Sequence, residues 1–224
     1  MERGLDWHGR RHGKKLRPGR QVLIDGVLPR LRFDLPDDPG AAFGGEASDI
    51  WMEIGFGGGE HLAGQALAHP EIGFIGCEPF VNGVASLLSL VDAGGIGNIR
   101  VYDDDARPLL NSLPDASIGR VYVLFADPWP KKRHHKRRFI GAENLGRLAR
   151  VMKDGAELRF ASDHSEYVGW ALERLSQHPD FDWTARSAVD WRQPPADWTP
   201  TRYEQKALNG GQRCTYLSFL RAKR

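Results

Sequence analysis

The chain has 224 residues, 41% of them hydrophobic and 27% charged, with seven Trp and a formal net charge of +2. That composition excludes a chain disordered along its whole length, and no apolar run approaches the roughly 18 residues of a membrane span. Cys77 and Cys214 form no CxxC pair, which excludes a disulfide scaffold or a thiolate zinc site. Both are expected to pack in strands as small hydrophobes.

Residues 1–44 are rich in Arg, Gly and Pro and show no sustained periodicity. They are expected to form a basic, partly flexible arm with a short helix near 19–28, interrupted by Pro36-Asp37-Asp38-Pro39-Gly40. The start of the arm is basic with no apolar stretch behind it, so it does not read as a secretory signal, and a cytoplasmic location is expected. From 45 to 224 the pattern alternates. The spacing predicts a strand over 50–54, a helix over 59–68, a strand over 73–78 and a helix over 81–93. A strand over 99–102, a short helix over 107–113 and a strand over 119–126 follow, then a helix over 140–152, a strand over 156–161 and a helix over 164–177. Strands alternating with helices indicate an open, mostly parallel α/β sheet. The last two predicted strands, 181–186 and 214–220, are expected as an antiparallel pair at the sheet edge with no helix between them.

Charge is unevenly placed. Residues 1–32 hold nine Lys/Arg against three acids, and residues 131–138 read Lys-Lys-Arg-His-His-Lys-Arg-Arg with no acid. Two basic blocks in a near-neutral chain suit a polyanionic partner.

The first predicted strand runs into Glu53-Ile54-Gly55-Phe56-Gly57-Gly58-Gly59-Glu60. Glycines at such a turn let a ligand approach the backbone. Glu60 stands where the dinucleotide fingerprint needs its third Gly, and no GxxxxGK[ST] loop occurs, so a phosphate ligand is disfavoured. Glu78 ends the second strand, where an acid can accept from ribose hydroxyls, and Asp105 follows the third. Acids at successive strand ends suit a ligand with a ribose, a positive charge and no phosphate. S-adenosylmethionine fits that description.

The strongest predicted strand leads into Asp127-Pro128-Trp129-Pro130 and then the basic block. Two prolines stiffen the turn, Trp129 offers a face for a base, and six Lys/Arg can track phosphates. His134 and His135 read as part of this basic surface rather than as metal ligands, and no metal site is expected. No GxSxG elbow supports a hydrolase.

These segments resemble the tRNA (guanine-N7-)-methyltransferase family. The matching residues are Glu53 to Gly57, Glu78, Asp105-Ala106, Asp127 to His134, Ser162-Asp163 and Thr201 to Glu204. The resemblance implies a Rossmann-like class I methyltransferase fold over 45–224, with a seven-stranded, mostly parallel sheet, helices on both faces and an antiparallel edge strand. It implies methyl transfer from S-adenosylmethionine, yielding S-adenosylhomocysteine, to N7 of guanine 46 in the tRNA variable loop. By the same resemblance Glu53, Gly55, Gly57, Glu78, Asp105 and Asp127 line the donor site. Asp127 is also the catalytic candidate, with Asp163 or Glu204 second. Lys131, Arg133, His134, His135, Lys136, Arg137, Arg138, Asp163, Thr201, Arg202, Tyr203 and Glu204 are expected to contact tRNA. A monomer or homodimer without an obligatory protein partner is expected, as in the bacterial members.

Two other functions stay open on the residues alone. Methylation of an exocyclic base amine also uses an acidic-Pro turn after the fourth strand, but Trp129 and Pro130 depart from its Pro-aromatic order. A catalytically silent RNA-binding module would have no need of the glycine loop and its acids.

Overall fold

Alternate residues of each strand point to opposite faces of the sheet, and the core divides accordingly. The computed structural model describes residues 9–35 and 38–224. The first eight residues of the expected basic arm, and Pro36-Asp37 of its expected break, lie outside the described residues. The described chain opens with α1 (Pro18–Gly26) and α2 (Leu28–Leu31). It continues through β1 (Asp49–Ile54), α3 (Glu60–Ala68), β2 (Ile72–Cys77), α4 (Val81–Gly94), β3 (Ile99–Tyr102), α5 (Ala106–Ser112) and β4 (Ile118–Leu124). A six-residue 3-10 helix, Lys132–Arg137, precedes α6 (Ala142–Val151), β5 (Met152–Ser162) and α7 (Ser165–Gln177). The chain ends with β6 (Phe181–Trp183), α8 (Val189–Arg192), α9 (Arg202–Asn209) and β7 (Thr215–Arg221).

The strands form one seven-stranded sheet in the order β3-β2-β1-β4-β5-β7-β6. The pairings from β3 across to β5 are parallel, and β7 runs antiparallel to both β5 and β6. The edge beyond β5 is therefore the expected antiparallel pair, with β7 one place in and β6 outermost. Met52, Ile75, Val121, Val123, Leu158, Phe160, Leu217 and Phe219 point to one face, where α5, α6 and α7 cover them. Their sequence neighbours take the other face. There Phe74 and Val101 meet α3 and α4, while Tyr122, Ala161 and Tyr216 meet Ala207 of α9. Burying one such Leu, Val or Phe contributes about 1.5–3 kcal/mol, so the two layers carry most of the fold's stabilisation.

Two helices stand between β6 and β7 where none was expected. The missed signal is local: Thr201 and Glu204 form a capping box, the side chain of each bonding the backbone N–H of the other. β6 is also shorter than the expected 181–186, because pairing with β7 stops at Trp183. β5 begins four residues before the expected 156, at Met152.

Strand order reverses between β1 and β4. The chain lays β2 and β3 to one side of β1 before returning to place β4 on the other. Such a switch point opens a crevice beyond the carboxyl ends of the strands.

Candidate active site

The glycine loop lies at that switch point. Gly55, Gly57 and Gly59 have φ of 73°, 55° and 81°, in the left-handed region that residues with a Cβ rarely enter. A Cβ on Gly55 would meet nothing within 4 Å, so the backbone there faces open space that a ligand can fill. Gly83 of α4 is packed so closely that a Cβ would press into the carbonyl oxygen of Gly57.

Strand ends gather the acids. Glu53 is buried near the end of β1, with Oε2 2.7 Å from Nδ1 of His61 in the first turn of α3. His61 was not anticipated from the sequence. The available signal was that a carboxylate buried at a strand end needs a donor, and the next helix begins beside it. Its ring lies edge-on to Tyr122, centroids 4.7 Å apart, and 5.1 Å from that of Trp198. Glu78, just past β2, accepts from the N–H of Gly57 at 2.8 Å and of Phe80 at 2.9 Å. Burial pushes its carboxyl up to about 7, against the lowering effect of those two N–H donors; the charges of Asp127 and Glu53 add to the rise. Asp105 follows β3 as the N-cap of α5, accepting from Arg107 N–H at 3.0 Å and from Arg107 Nε at 2.8 Å.

β4 ends at Leu124, and Asp127 stands three residues on, open to solvent yet with its carboxyl pushed above the usual range by desolvation from the protein packed around it. The turn holding it is strained. Phe125 and Trp129 have φ of 50° and 45°, and such non-Gly conformations cost about 1–3 kcal/mol each. Arg137 lies over Trp129, 5.1 Å from the ring centroid. Asp163 follows Ser162 at the end of β5, which runs parallel beside β4. Glu53, Glu78, Asp105, Asp127 and Asp163 thus gather at the carboxyl ends of the parallel strands.

The start of α9 closes over the glycine loop. Arg202 pairs with Glu60 and donates to Ser86 Oγ at 3.0 Å, with its guanidinium against Gly58. A Cβ on Gly57 would lie 3.1 Å from the Tyr203 ring. The described part of the arm crosses the start of α4: Asn82 accepts from Gly13 N–H at 2.8 Å and donates to the carbonyl of Lys14 at 2.7 Å.

Four expected tRNA contacts face inward instead. Thr201 and Glu204 are buried, and Glu204 accepts from Trp198 Nε1 at 2.8 Å and from the Tyr216 hydroxyl. Arg138 has a side chain closed to solvent, because it fills a site between the Asp127 turn and α7. His135 is half-buried against Trp170 of α7. Lys131, Arg133, Lys136, Arg202 and Tyr203 are exposed, while His134 and Arg137 are intermediate.

The sheet is that of the class I methyltransferases. The structure superposes on that of an antibiotic-related methyltransferase with a TM-score of 0.56 at 16% identity, covering 88% of this chain and 98% of the other. It superposes on the 16S rRNA (adenine(1408)-N(1))-methyltransferase of Catenulisporales acidiphilia with a TM-score of 0.52 at 20% identity, covering 86% and 98%. A family model described as "Putative methyltransferase" matches residues 47–217. The chain is 49% identical to the tRNA (guanine-N(7)-)-methyltransferase of Rhodospirillum rubrum over 97% of its length and 88% of the relative's. It is 50% identical to that of Agrobacterium fabrum over 95% and 94%. The chain belongs to the tRNA (guanine-N7-)-methyltransferase family.

Proposed function

We propose that the protein transfers the methyl group of S-adenosylmethionine to N7 of guanine 46 in the tRNA variable loop. The observation that carries this is one of placement: the open glycine loop with its acids, the Asp127 turn and an exposed basic surface lie together at the carboxyl ends of the parallel strands. When bound, the donor supplies a methyl on a sulfonium: N7 gains the methyl, the electrons of the broken S–C bond stay on sulfur, and the positive charge passes to the guanine ring.

The residues present fit that donor. Gly55 leaves room against the backbone, Glu78 stands where a carboxylate accepts from ribose hydroxyls, and Glu53 and Asp105, held by His61 and Arg107, stand at the neighbouring strand ends. N7 carries an in-plane lone pair and no proton, so no general base is required. Asp127 instead accepts from guanine N1–H and N2–H₂, which orients N7 and rejects adenine, and its charge stabilises the ring as it becomes cationic. Asp163 is the second acid at the same carboxyl end. Lys131, Arg133 and Lys136 meet phosphates, and Arg202 and Tyr203 approach the RNA beside the glycine loop. The target base leaves its stack to reach this crevice.

The test is incorporation of label from S-adenosylmethionine into an unmodified tRNA transcript. Wild-type protein should label it. Asp127→Ala should abolish turnover while tRNA affinity stays within about threefold. Bound tRNA with no label from wild-type protein would overturn the proposal in favour of a silent RNA-binding module.

A further inference from the structure

The basic block after Asp127 has two faces with different partners. In the 3-10 helix Lys132–Arg137, side chains three apart eclipse one another. Arg133 and Lys136, three apart, are exposed, whereas His135 and Arg138, three apart on the next row, turn inward to α7; Lys132 begins that row at its exposed end. Arg138 Nε donates to the carbonyl of Pro128 at 2.7 Å, and its Nη2 lies 3.2 Å from Glu166 Oε1. His135 Nε2 lies 3.0 Å from the same oxygen. The Arg138 guanidinium sits 5.3 Å and 5.0 Å from the ring centroids of Tyr167 and Trp170, so its aromatic and acidic partners all come from the first two turns of α7.

We infer that Arg138, seated on α7 by Glu166, is a positioning residue that holds the Asp127-Pro128 turn in the geometry methyl transfer requires. This rests on the role given to Asp127 above. No phosphate reaches a side chain that solvent does not reach, so contact with RNA does not account for Arg138. Burying a guanidinium is costly, and an apolar side chain would fill the volume without that cost. What an apolar side chain cannot do is grip a carbonyl and a carboxylate at once with a planar fork of donors. The carbonyl gripped belongs to the residue directly after Asp127, and the residue after that, Trp129, is held at a φ of 45°. The turn is strained at both ends, so it keeps its shape only while neighbours enforce it. The same short helix therefore offers cations to RNA on its outer face and fixes the acid on its inner face.

The test compares Arg138→Lys, Glu166→Gln and Glu166→Ala with the outward-facing Lys136→Glu. Measured on the full chain are kcat with both substrates saturating, tRNA and donor Kd, and the melting temperature. Misplacing a reacting group by about 1 Å costs on the order of 100-fold. Arg138→Lys should lower kcat 10- to 100-fold with both Kd values within about threefold, because an ammonium cannot reproduce the fork. Glu166→Ala should lower kcat in the same direction, and Glu166→Gln less, since its amide oxygen still accepts. Glu166 is 53% exposed, so its variants keep the question open to measurement if Arg138→Lys fails to fold. Methylguanidinium added to Arg138→Ala should restore part of kcat, which a loss of packing alone would not allow. Lys136→Glu should instead raise the tRNA Kd. An unchanged kcat in Glu166→Ala, or a loss confined to tRNA affinity in Arg138→Lys, overturns the inference. Asp127→Asn, run in parallel, separates the two claims. If it retains full turnover, the role of Asp127 fails, whereas the Arg138 result still reports on the turn.

Discussion

The backbone N–H of Gly57 donates to Oε2 of Glu78 across 2.8 Å, tying the glycine loop after β1 to the acid that follows β2. The bond gives Glu78 two tasks, shaping the loop and offering its carboxylate to the donor. Burial raises its folded-state pKa from an ordinary 4.5 to about 7. A raised acid pKa favours the folded state while the group is protonated, and that contribution fades as pH rises from 4.5 through about 7. The free protein should therefore lose stability over that window, by at most roughly 1.4 kcal/mol for each step of one in pH. Glu78→Gln should flatten the slope. Donor binding needs the charged carboxylate, so donor affinity should rise through about pH 7 with release of a proton. Calorimetry in buffers of different ionisation enthalpy measures that proton directly. Uptake of a proton, or none, would show that Glu78 is not the ribose acceptor.

Nδ1 of His61 lies 2.7 Å from Oε2 of Glu53, both side chains buried, and the ring packs on Tyr122 and Trp198. His61→Ala removes the ring and leaves the buried Glu53 carboxyl without its hydrogen-bond partner, a loss of about 2–4 kcal/mol. His61→Asn keeps a short donor and should cost less. Urea unfolding of the two variants checks the order, and equal small losses would mean the pair contributes little.

Alanine at two helical glycines should act with opposite signs. A Cβ on Gly146 of α6 meets nothing, so Gly146→Ala should stabilise by about 0.5–1 kcal/mol. A Cβ on Gly83 of α4 presses into the Gly57 carbonyl, so Gly83→Ala should destabilise the chain and weaken donor binding. Thermal melts with and without donor distinguish the two, and a stabilised Gly83→Ala would contradict the packing described.

Reversing Lys131, Arg133 and Lys136 to Glu should weaken tRNA binding and reduce its salt dependence, each lost phosphate contact removing about 0.7–0.9 from the slope. Donor affinity should not change. Salt titrations of tRNA binding give the slope, and an unaltered slope would remove this loop from the RNA interface.

Much of this architecture was legible because periodicity and punctuation agree from Asp49 to Gln177. Apolar strands end in Gly or acids, and Pro70 and Gly95 close helices, Gly95 at a φ of 60°. α9 was missed because only two of its eight residues, Glu204 and Ala207, are buried, too few to set a helical stripe; its capping box was the readable sign. Within the site, the sequence places the acids correctly at strand ends, since that follows from strand order alone. It cannot say which way a charged side chain turns. Arg138 and Glu204 face inward because α7 and β7, distant in sequence, supply their partners. The His61–Glu53 and Arg202–Glu60 pairs depend on how the helices lie over the loop, which no local pattern encodes.

The most direct measurement maps the methyl group on a tRNA transcript after reaction with labelled S-adenosylmethionine, using the strand cleavage that N7-methylguanosine permits after reduction and aniline treatment. A single cut at position 46, lost when that guanine is replaced by adenine, is the expected result. Label in the tRNA with no cut, or a cut elsewhere that survives the replacement, would contradict transfer to N7 of guanine 46.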